Sequence, residues 1–188
     1  KLEHAVPLAE ALVAGGITNL EVTLRTQHGL KAITLIRNQV KGANVGVGTV
    51  CNATEFDSAV DAGANFVVSP GQSDALFDRA LLTNIPFLPG AVTATEVMAS
   101  KEAGFNVLKF FPASTSGGAA AIKAFAGPFA DLQFVPTGGI NLDNAGSYLS
   151  LSNVRAVGGS WLTPADAIQN GQWEHITQIA REASQLGA

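Results

Sequence analysis

Short apolar runs alternate with longer stretches of helical spacing along nearly the whole chain. Several of the short runs are apolar on both faces, which is typical of parallel strands covered by helices. We predict strands over residues 17–24, 44–50, 65–70, 86–90, 107–112, 134–139 and 154–159. We predict helices over residues 3–16, 26–40, 52–64, 73–84, 93–104, 117–127, 141–150 and 172–187.

This regular alternation predicts βα units and a parallel sheet, either closed as a (β/α)₈ barrel or open and doubly wound. An open sheet usually has a Gly-rich turn after its first strand, and that turn is absent here. Seven predicted strands, with a helix before the first, instead favour a barrel. We therefore expect residues 1–188 to form a single (β/α)₈ TIM-barrel domain that is incomplete at its N-terminus. The first strand would lie upstream of Lys1, within about 20 further residues of the natural gene.

Composition excludes several classes of protein. Hydrophobic residues make up 47% of the chain and charged residues 14%, which indicates one large core. A net charge of −4 without a Lys/Arg cluster argues against a nucleic-acid partner. The apolar runs are too short to span a bilayer, so no membrane association is expected. The one cysteine, Cys51, fits a reducing compartment, and we expect a cytoplasmic protein.

A lysine interrupts the apolar run "VLKFFP" at residues 107–112. An ammonium group in such surroundings must reach water, find a partner or lose its proton. Lys109 is also the only lysine on a predicted strand. Three roles stay open for it: a side chain that extends to water, a fixed cation for an anionic substrate, or a nucleophile that forms a Schiff base.

The strand 17–24 has polar side chains at alternating positions. Glu21, Thr23 and Arg25 share one face, while Val22 and Leu24 share the other and would face the helices. An acid and a base on an inward face are costly unless they are paired or used. The pattern therefore indicates either an internal ion pair or a functional site.

Two glycine pairs end predicted strands, in "PTGGI" (136–140) and "VGGSW" (157–161). If one strand is missing at the front, these loops follow strands seven and eight, the usual phosphate site of a barrel. Glycine lets an anion come close to backbone amides. Ordinary glycine turns are the alternative. Thr49 likewise ends the strand 44–50, where a simple helix cap is an alternative.

Other chemistries find little support. His4, His28 and His175 are scattered and form no pattern of metal ligands. No G-x-S-x-G motif is present, so a serine hydrolase is not indicated. Cys51 has no histidine close to it in sequence, and we expect it to serve in packing.

Taken together, the motifs resemble the 2-keto-3-deoxy-6-phosphogluconate (KDPG) aldolase family, which includes 4-hydroxy-2-oxoglutarate aldolases. The resemblance runs in order from about residue 2 to the end of the chain. It is carried by "GGITNLEVTLRT", "VGVGTV", "FVVSPG", "LPGAVTATE", "LKFFPAS", "FVPTGGI" and "VGGSWL". It implies a metal-independent class I aldolase barrel, commonly a homotrimer, which acts on a small keto acid without a cofactor.

The resemblance also implies roles for particular residues. Lys109 would form the Schiff base and Glu21 would move protons. The remaining residues would bind the substrate. Arg25 and Thr49 would bind its carboxylate, and Thr137 would lie beside its hydroxyls. The phosphate would be held by Gly138, Gly139, Gly159 and Ser160, and the pocket would be lined by Pro89 and Phe111.

The expected reaction is cleavage of KDPG to pyruvate and glyceraldehyde 3-phosphate. The nearest alternative is the same chemistry on another substrate. That substrate would be 4-hydroxy-2-oxoglutarate, the galactonate isomer of KDPG, or oxaloacetate, which would be decarboxylated. The glycine loops favour a phosphorylated substrate. Thr137 favours the gluconate isomer by resemblance, because the galactonate-specific branch of the family prefers an apolar residue at this position. Two alternatives belong to other classes of protein. One is a non-catalytic barrel that binds a phosphorylated ligand, and the other is a metal-dependent barrel lyase or isomerase.

Overall fold

The computed structural model describes residues 1–186, and these form an α/β structure. Its strands are β1 (Asn19–Thr23), β2 (Asn44–Gly48), β3 (Val67–Val68), β4 (Phe87–Leu88), β5 (Val107–Phe110) and β6 (Gln133–Pro136). Its helices are α1 (Ala5–Ala14), α2 (Gly29–Gln39), α3 (Ala53–Asp61), α4 (Asp74–Thr83), α5 (Ala94–Glu102), α6 (Gly118–Phe125), α7 (Leu142–Leu149), α8 (Ala165–Gln169) and α9 (Trp173–Ser184). Short 3₁₀ turns span Leu2–His4 and Ser160–Leu162.

The strands lie side by side in the order in which they follow one another along the chain. Strands β1 to β4 form one parallel sheet, and β5 and β6 form a second parallel pair. A bridge from Gly90 to Lys109 joins the two. Because order in space follows order in sequence, the arrangement is that of a (β/α)₈ barrel, as predicted.

The segment 154–159 is not the regular strand that its sequence predicts. Two isolated bridges attach it to β6, Phe134 to Val154 and Thr137 to Gly158. Gly158 is the last residue of the segment that pairs, and a 3₁₀ turn begins at Ser160. Within residues 1–186, no pairing joins this segment to β1. A further strand upstream of Lys1 stays a prediction.

Other boundaries also differ from the prediction. Strands β3 and β4 have two residues each, because the chain leaves the ladder for the loops that follow them. The short helix α8 was not predicted. The predicted final helix 172–187 ends in the structure at Ser184, and residue 187 lies outside the described residues. Among residues 1–186, no helix combines the length and the apolar character needed to cross a membrane.

Side-chain caps fix where the helices after the strands begin. The Asn52 side chain accepts a hydrogen bond from the Glu55 amide and so caps α3. Thr93 and Glu96 form a capping box at the start of α5. Since these caps end the βα loops, they also hold the loops at the carboxyl edge of the sheet.

The core consists of two apolar clusters. The first cluster lies around β1 to β4 and includes Ile33, Val45, Val47, Phe56 and Val67. The second cluster lies around β5 and β6 and includes Leu108, Phe110, Ile122, Leu132 and Phe134. Phe105 packs against both, so the two clusters are in contact.

Candidate active site

Lys109 is a buried lysine in the middle of β5. It is 6% exposed, and its neighbours Leu108 and Phe110 are fully buried on the opposite face. Its amide donates to the Pro89 carbonyl at 2.8 Å, and its carbonyl accepts from the Ala91 amide at 2.9 Å. These two bonds fix the backbone from which the amine extends.

The Lys109 amine lies against a carboxylate from a distant part of the chain. Nζ of Lys109 is 3.3 Å from Oε1 of Glu21 on β1, although the two residues are 88 positions apart. The Phe111 ring lies on another side of the amine, with its centroid 5.0 Å from Nζ, in a cation–π contact. The ammonium is therefore paired rather than solvated, which excludes a side chain that merely extends to water.

Room for the Glu21 carboxylate comes from a glycine. A β-carbon at Gly48 on the neighbouring strand β2 would overlap the Glu21 side chain. Gly46, two residues earlier on the same face, is covered by the Phe66 ring. The alternating glycines of "VGVG" are the sequence feature that indicates this space beside Glu21. The feature can be interpreted only once β2 is known to lie beside β1.

Glu21 and Arg25 do not form the internal ion pair that their spacing allowed. Arg25 is exposed, and its Nε donates to Oγ1 of Thr23 at 3.3 Å. Val22 and Leu24 pack against the first cluster, as predicted. The alternation was therefore correct, but the partner of Glu21 is Lys109.

Thr49 follows β2 with its backbone in the left-handed region, at φ 64°. A β-branched residue there carries strain of about 1–3 kcal/mol, which proteins retain mostly at functional sites. Thr49 does not cap α3, because Asn52 does. The alternative of a simple helix cap is therefore wrong.

Cys51 is exposed, so the prediction that it serves in packing is wrong. Its Sγ donates to the Thr49 carbonyl at 3.5 Å. Partial burial raises the pKa of the Cys51 thiol, and the nearby Glu55 carboxylate raises it further. A raised pKa favours the thiol over the reactive thiolate.

The two glycine loops lie next to each other, because the bridge from Thr137 to Gly158 joins their strands. Gly138 and Gly139 have φ values of 93° and 75°, which other residues rarely adopt. Within residues 1–186, the amides of Gly138, Gly139 and Gly159 donate no hydrogen bond. Three backbone donors are therefore free to bind an anion.

Gly159 differs from the other loop glycines. Its φ of −157° and ψ of 150° are extended values that any residue adopts. A β-carbon there would overlap the six-membered ring of Trp161. The Trp161 ring therefore excludes a side chain at this position, although the backbone geometry would allow one.

The hydroxyls near these loops differ in accessibility. Ser160 is exposed, so its hydroxyl can reach a ligand. The Thr137 Oγ1 is buried and has no hydrogen-bond partner within residues 1–186. Ser69, which was not singled out from the sequence, is fully buried after β3 and donates to the Gly71 carbonyl.

Among the described residues, no three His, Cys, Asp or Glu side chains are grouped so that they could hold a metal ion. The functional groups that the fold brings together at the carboxyl edge of the strands are an amine, a carboxylate and free backbone amides.

Known proteins are similar to this chain in sequence and in fold. The family described as "Aldolase: KDPG and KHG aldolase" matches residues 1–179. The 2-dehydro-3-deoxy-phosphogluconate aldolase of Dickeya dadantii is 50% identical, over 97% of this chain and 86% of that protein. The KHG/KDPG aldolase of Escherichia coli K12 is 49% identical, with the same coverage.

A solved structure is similar in three dimensions as well. It is the KDPG aldolase of Legionella pneumophila with pyruvate captured at low pH as a covalent carbinolamine intermediate. It superimposes with a TM-score of 0.96 at 45% identity, over 98% of this chain and 90% of that one. On the family match and these identities together, the chain belongs to the KDPG and KHG aldolase family.

Proposed function

We propose that this chain is a class I aldolase that cleaves KDPG to pyruvate and glyceraldehyde 3-phosphate through a Schiff base on Lys109. The observation that carries the proposal is the buried Lys109 amine, 3.3 Å from the Glu21 carboxylate. The names of its relatives and the covalent pyruvate adduct of the Legionella enzyme support the same chemistry.

The first stage joins the substrate to the enzyme. The Lys109 amine attacks the C2 ketone of KDPG, and loss of water leaves an iminium that withdraws electrons from C3. Glu21 touches the amine and is placed to take up the proton that the amine must lose and to return it to the C2 hydroxyl, which leaves as water, so that Glu21 is a carboxylate again before the next stage. The Phe111 ring and the backbone bonds to Pro89 and Ala91 hold the amine in position.

In the second stage the carbon chain is cleaved. Glu21 accepts the proton of the C4 hydroxyl, directly or through water, as the C3–C4 bond breaks and glyceraldehyde 3-phosphate leaves. The electron pair of that bond forms an enamine, which is protonated at C3 by Glu21. Hydrolysis of the resulting iminium releases pyruvate and restores the free amine.

The residues around this pair would bind the rest of the substrate. Arg25 and Thr49, which end β1 and β2, would take the carboxylate. The free amides of Gly138, Gly139 and Gly159, with the exposed hydroxyl of Ser160, would take the phosphate. Thr137 would lie beside the substrate hydroxyls, with Pro89 and Phe111 forming the walls of the pocket.

Cleavage of 4-hydroxy-2-oxoglutarate to pyruvate and glyoxylate is a second candidate activity. The name of the Escherichia coli relative covers both substrates. The two substrates share the keto acid part, and only KDPG has a phosphate for the glycine loops. We therefore expect both to be cleaved, with a lower KM for KDPG.

The reaction would need neither a metal ion nor an organic cofactor, since the imine itself accepts the electrons. Cleavage that persists after treatment with EDTA supports this, and loss of activity that zinc or magnesium restores would favour a metal-dependent lyase. A non-catalytic barrel would use the glycine loops without the amine, and it would cleave neither substrate.

We further propose that the chain assembles as a homotrimer in the cytoplasm. The support for the trimer is the family resemblance. Light scattering coupled to size-exclusion chromatography tests it, and a mass close to that of one chain would contradict it.

Covalent trapping tests the proposed function directly. Borohydride in the presence of pyruvate should attach a three-carbon label to Lys109, which peptide mass mapping locates. Lys109→Met should abolish both the label and cleavage of KDPG. Lys101→Met is the matched control. Lys101 also pairs with a carboxylate, since its Nζ is 2.7 Å from Oδ1 of Asp131, but this pair lies at the surface. A label that persists in Lys109→Met would contradict the assignment.

A further inference from the structure

The turn at residues 158–160 is held by contacts on several sides. The Gly158 amide donates to the Pro136 carbonyl at 2.9 Å. The amide and the hydroxyl of Thr163 both lie 3.2 Å from the Ser160 carbonyl, to which they donate. These three bonds fix the two ends of the turn, but none of them involves Gly159 in its middle.

The middle of the turn is held by Trp161. The indole ring occupies the space that a β-carbon of Gly159 would need, so it lies directly against the Gly159 backbone. Trp161 also packs against the second cluster. The ring therefore connects the core to Gly159, whose amide donates no hydrogen bond within residues 1–186 and can bind an anion.

Two unpartnered atoms mark the same place. Within residues 1–186, two buried side-chain polar atoms have no hydrogen-bond partner, namely Nε1 of Trp161 and Oγ1 of Thr137. Thr137 also lies against this part of the chain, because its Cγ2 would meet a β-carbon at Gly158. A buried indole N–H usually has a partner, and buried groups without one are few in native proteins.

We propose that Trp161 is a positioning residue for the phosphate end of the substrate. Its ring presses on Gly159 and keeps the free amide of the turn directed at the anion. Trp161 does not itself touch the phosphate in this proposal, and it acts through Gly159. The inference rests on the proposed function, since it assigns to Trp161 the support of the phosphate-binding loop of the same site.

Four variants test this contact. Trp161→Ala removes the ring, Trp161→Phe keeps a smaller ring, and Gly159→Ala introduces the β-carbon that meets the ring. The fourth combines Gly159→Ala with Trp161→Ala, so that the added β-carbon has room. Trp173→Ala is the control for loss of a tryptophan, because Trp173 packs against His4 and the first cluster.

Steady-state kinetics on two substrates separates positioning from general damage. We expect Trp161→Ala to raise the KM for KDPG about tenfold with kcat nearly unchanged, since binding shared by ground and transition states is expressed in KM. Its KM for 4-hydroxy-2-oxoglutarate should change by less than about twofold, because that substrate has no phosphate. Trp161→Phe should recover part of the loss, and Trp173→Ala should behave as wild type on both substrates.

The double variant shows whether the ring acts through Gly159. If it does, Gly159→Ala and Trp161→Ala each raise the KM for KDPG, and together they raise it no more than the larger single effect. Effects that multiply would mean that the two residues act independently, and they would overturn the proposal. Equal losses on both substrates, or an unchanged KM for KDPG in folded Trp161→Ala, would overturn it as well.

Inorganic phosphate gives a readout that does not need turnover. Its dissociation constant, measured by titration calorimetry, should rise about tenfold in Trp161→Ala and stay unchanged in Trp173→Ala. If Trp161→Ala does not fold, Gly159→Ala and Trp161→Phe answer the same question with smaller changes. Should the wild type cleave neither keto acid, the proposed function fails. Phosphate binding by these variants still decides whether Trp161 positions the loop.

Discussion

The two halves of the site use different parts of the chain. On β1 and β5, two side chains meet, and a glycine on β2, Gly48, gives one of them room. At the end of β6 and in the turn after Gly158, backbone amides are free, and neighbouring side chains fill the space beside the glycines. The first half has the groups that chemistry needs, and the second has groups suited to binding.

This difference makes substitutions in the two halves distinguishable. Loss of a group that acts only in the transition state lowers kcat, whereas loss of a contact present throughout raises KM. Substitutions near Lys109 should therefore lower kcat on both substrates. Substitutions near Gly159 should raise KM on the phosphorylated substrate alone.

The largest effect is expected for Glu21→Gln, which keeps the shape of the side chain but removes its basic group. Cleavage of KDPG should fall by about 10²–10⁴-fold, the usual contribution of acid–base catalysis. Trapping of pyruvate by borohydride on Lys109 should persist, because the amine is intact. Rapid-quench kinetics measures the cleavage rate, and peptide mass mapping measures the label on Lys109. Wild-type cleavage by Glu21→Gln would mean that Glu21 only pairs with the lysine.

Gly48→Ala tests whether room for Glu21 matters. The added β-carbon overlaps the Glu21 carboxylate and must displace it. A displacement of about 1 Å can cost about 10²-fold in rate, so we expect a loss of that order in kcat on both substrates. Gly146→Ala, where nothing lies within 4 Å of the added carbon, is the control. A purely KM effect in Gly48→Ala would contradict the division between the two halves.

Ser160→Ala probes the binding half without disturbing the backbone. Loss of a hydrogen bond to a charged group should raise the KM for KDPG about tenfold and leave kcat nearly unchanged. Cleavage of 4-hydroxy-2-oxoglutarate should not change. Ser150→Ala, at an exposed helix end, serves as the control. An equal effect on both substrates would remove Ser160 from the phosphate site.

The smallest effect concerns the loop that supports Lys109 from the side of β4. Glu96 accepts hydrogen bonds from the amides of Val92 and Thr93 at 2.9 and 2.8 Å, next to the Ala91 that binds the Lys109 carbonyl. Partial burial alone would raise the pKa of Glu96. The hydrogen bonds from these amides and from the Thr93 hydroxyl outweigh it and lower that pKa below its usual value.

A carboxylate with a lowered pKa stabilises the fold above its unfolded-state pKa, and this stability is lost as the pH falls through the folded-state pKa. Glu96→Gln should therefore lower the free energy of unfolding by about 0.5–1 kcal/mol at pH 7. The difference from wild type should shrink in acid, which urea unfolding at pH 7 and below pH 4 measures. A difference that grows in acid would contradict the expected direction of the pH dependence. Cleavage of KDPG by Glu96→Gln at pH 7 should hardly change.

Local patterns in the sequence were enough to predict the fold class and the placement of several residues of the candidate site. Alternation of strands and helices predicted the parallel α/β arrangement. An apolar strand with one lysine singled out Lys109, and period-two spacing put Val22 and Leu24 on the face opposite Glu21. These predictions succeeded because residues close in sequence share a face or a turn whatever the rest of the chain does.

Only the tertiary structure decided which of these groups meet. Spacing alone suggested Arg25 as a partner for Glu21, but the order of the strands brings Lys109 to it from 88 positions away. The sequence predicted a strand through Gly159, whereas in the structure the pairing stops at Gly158 and the Trp161 ring lies against Gly159. Such contacts depend on strand order, register and the course of a loop, and these are set by packing across the whole domain rather than by periodicity within one segment.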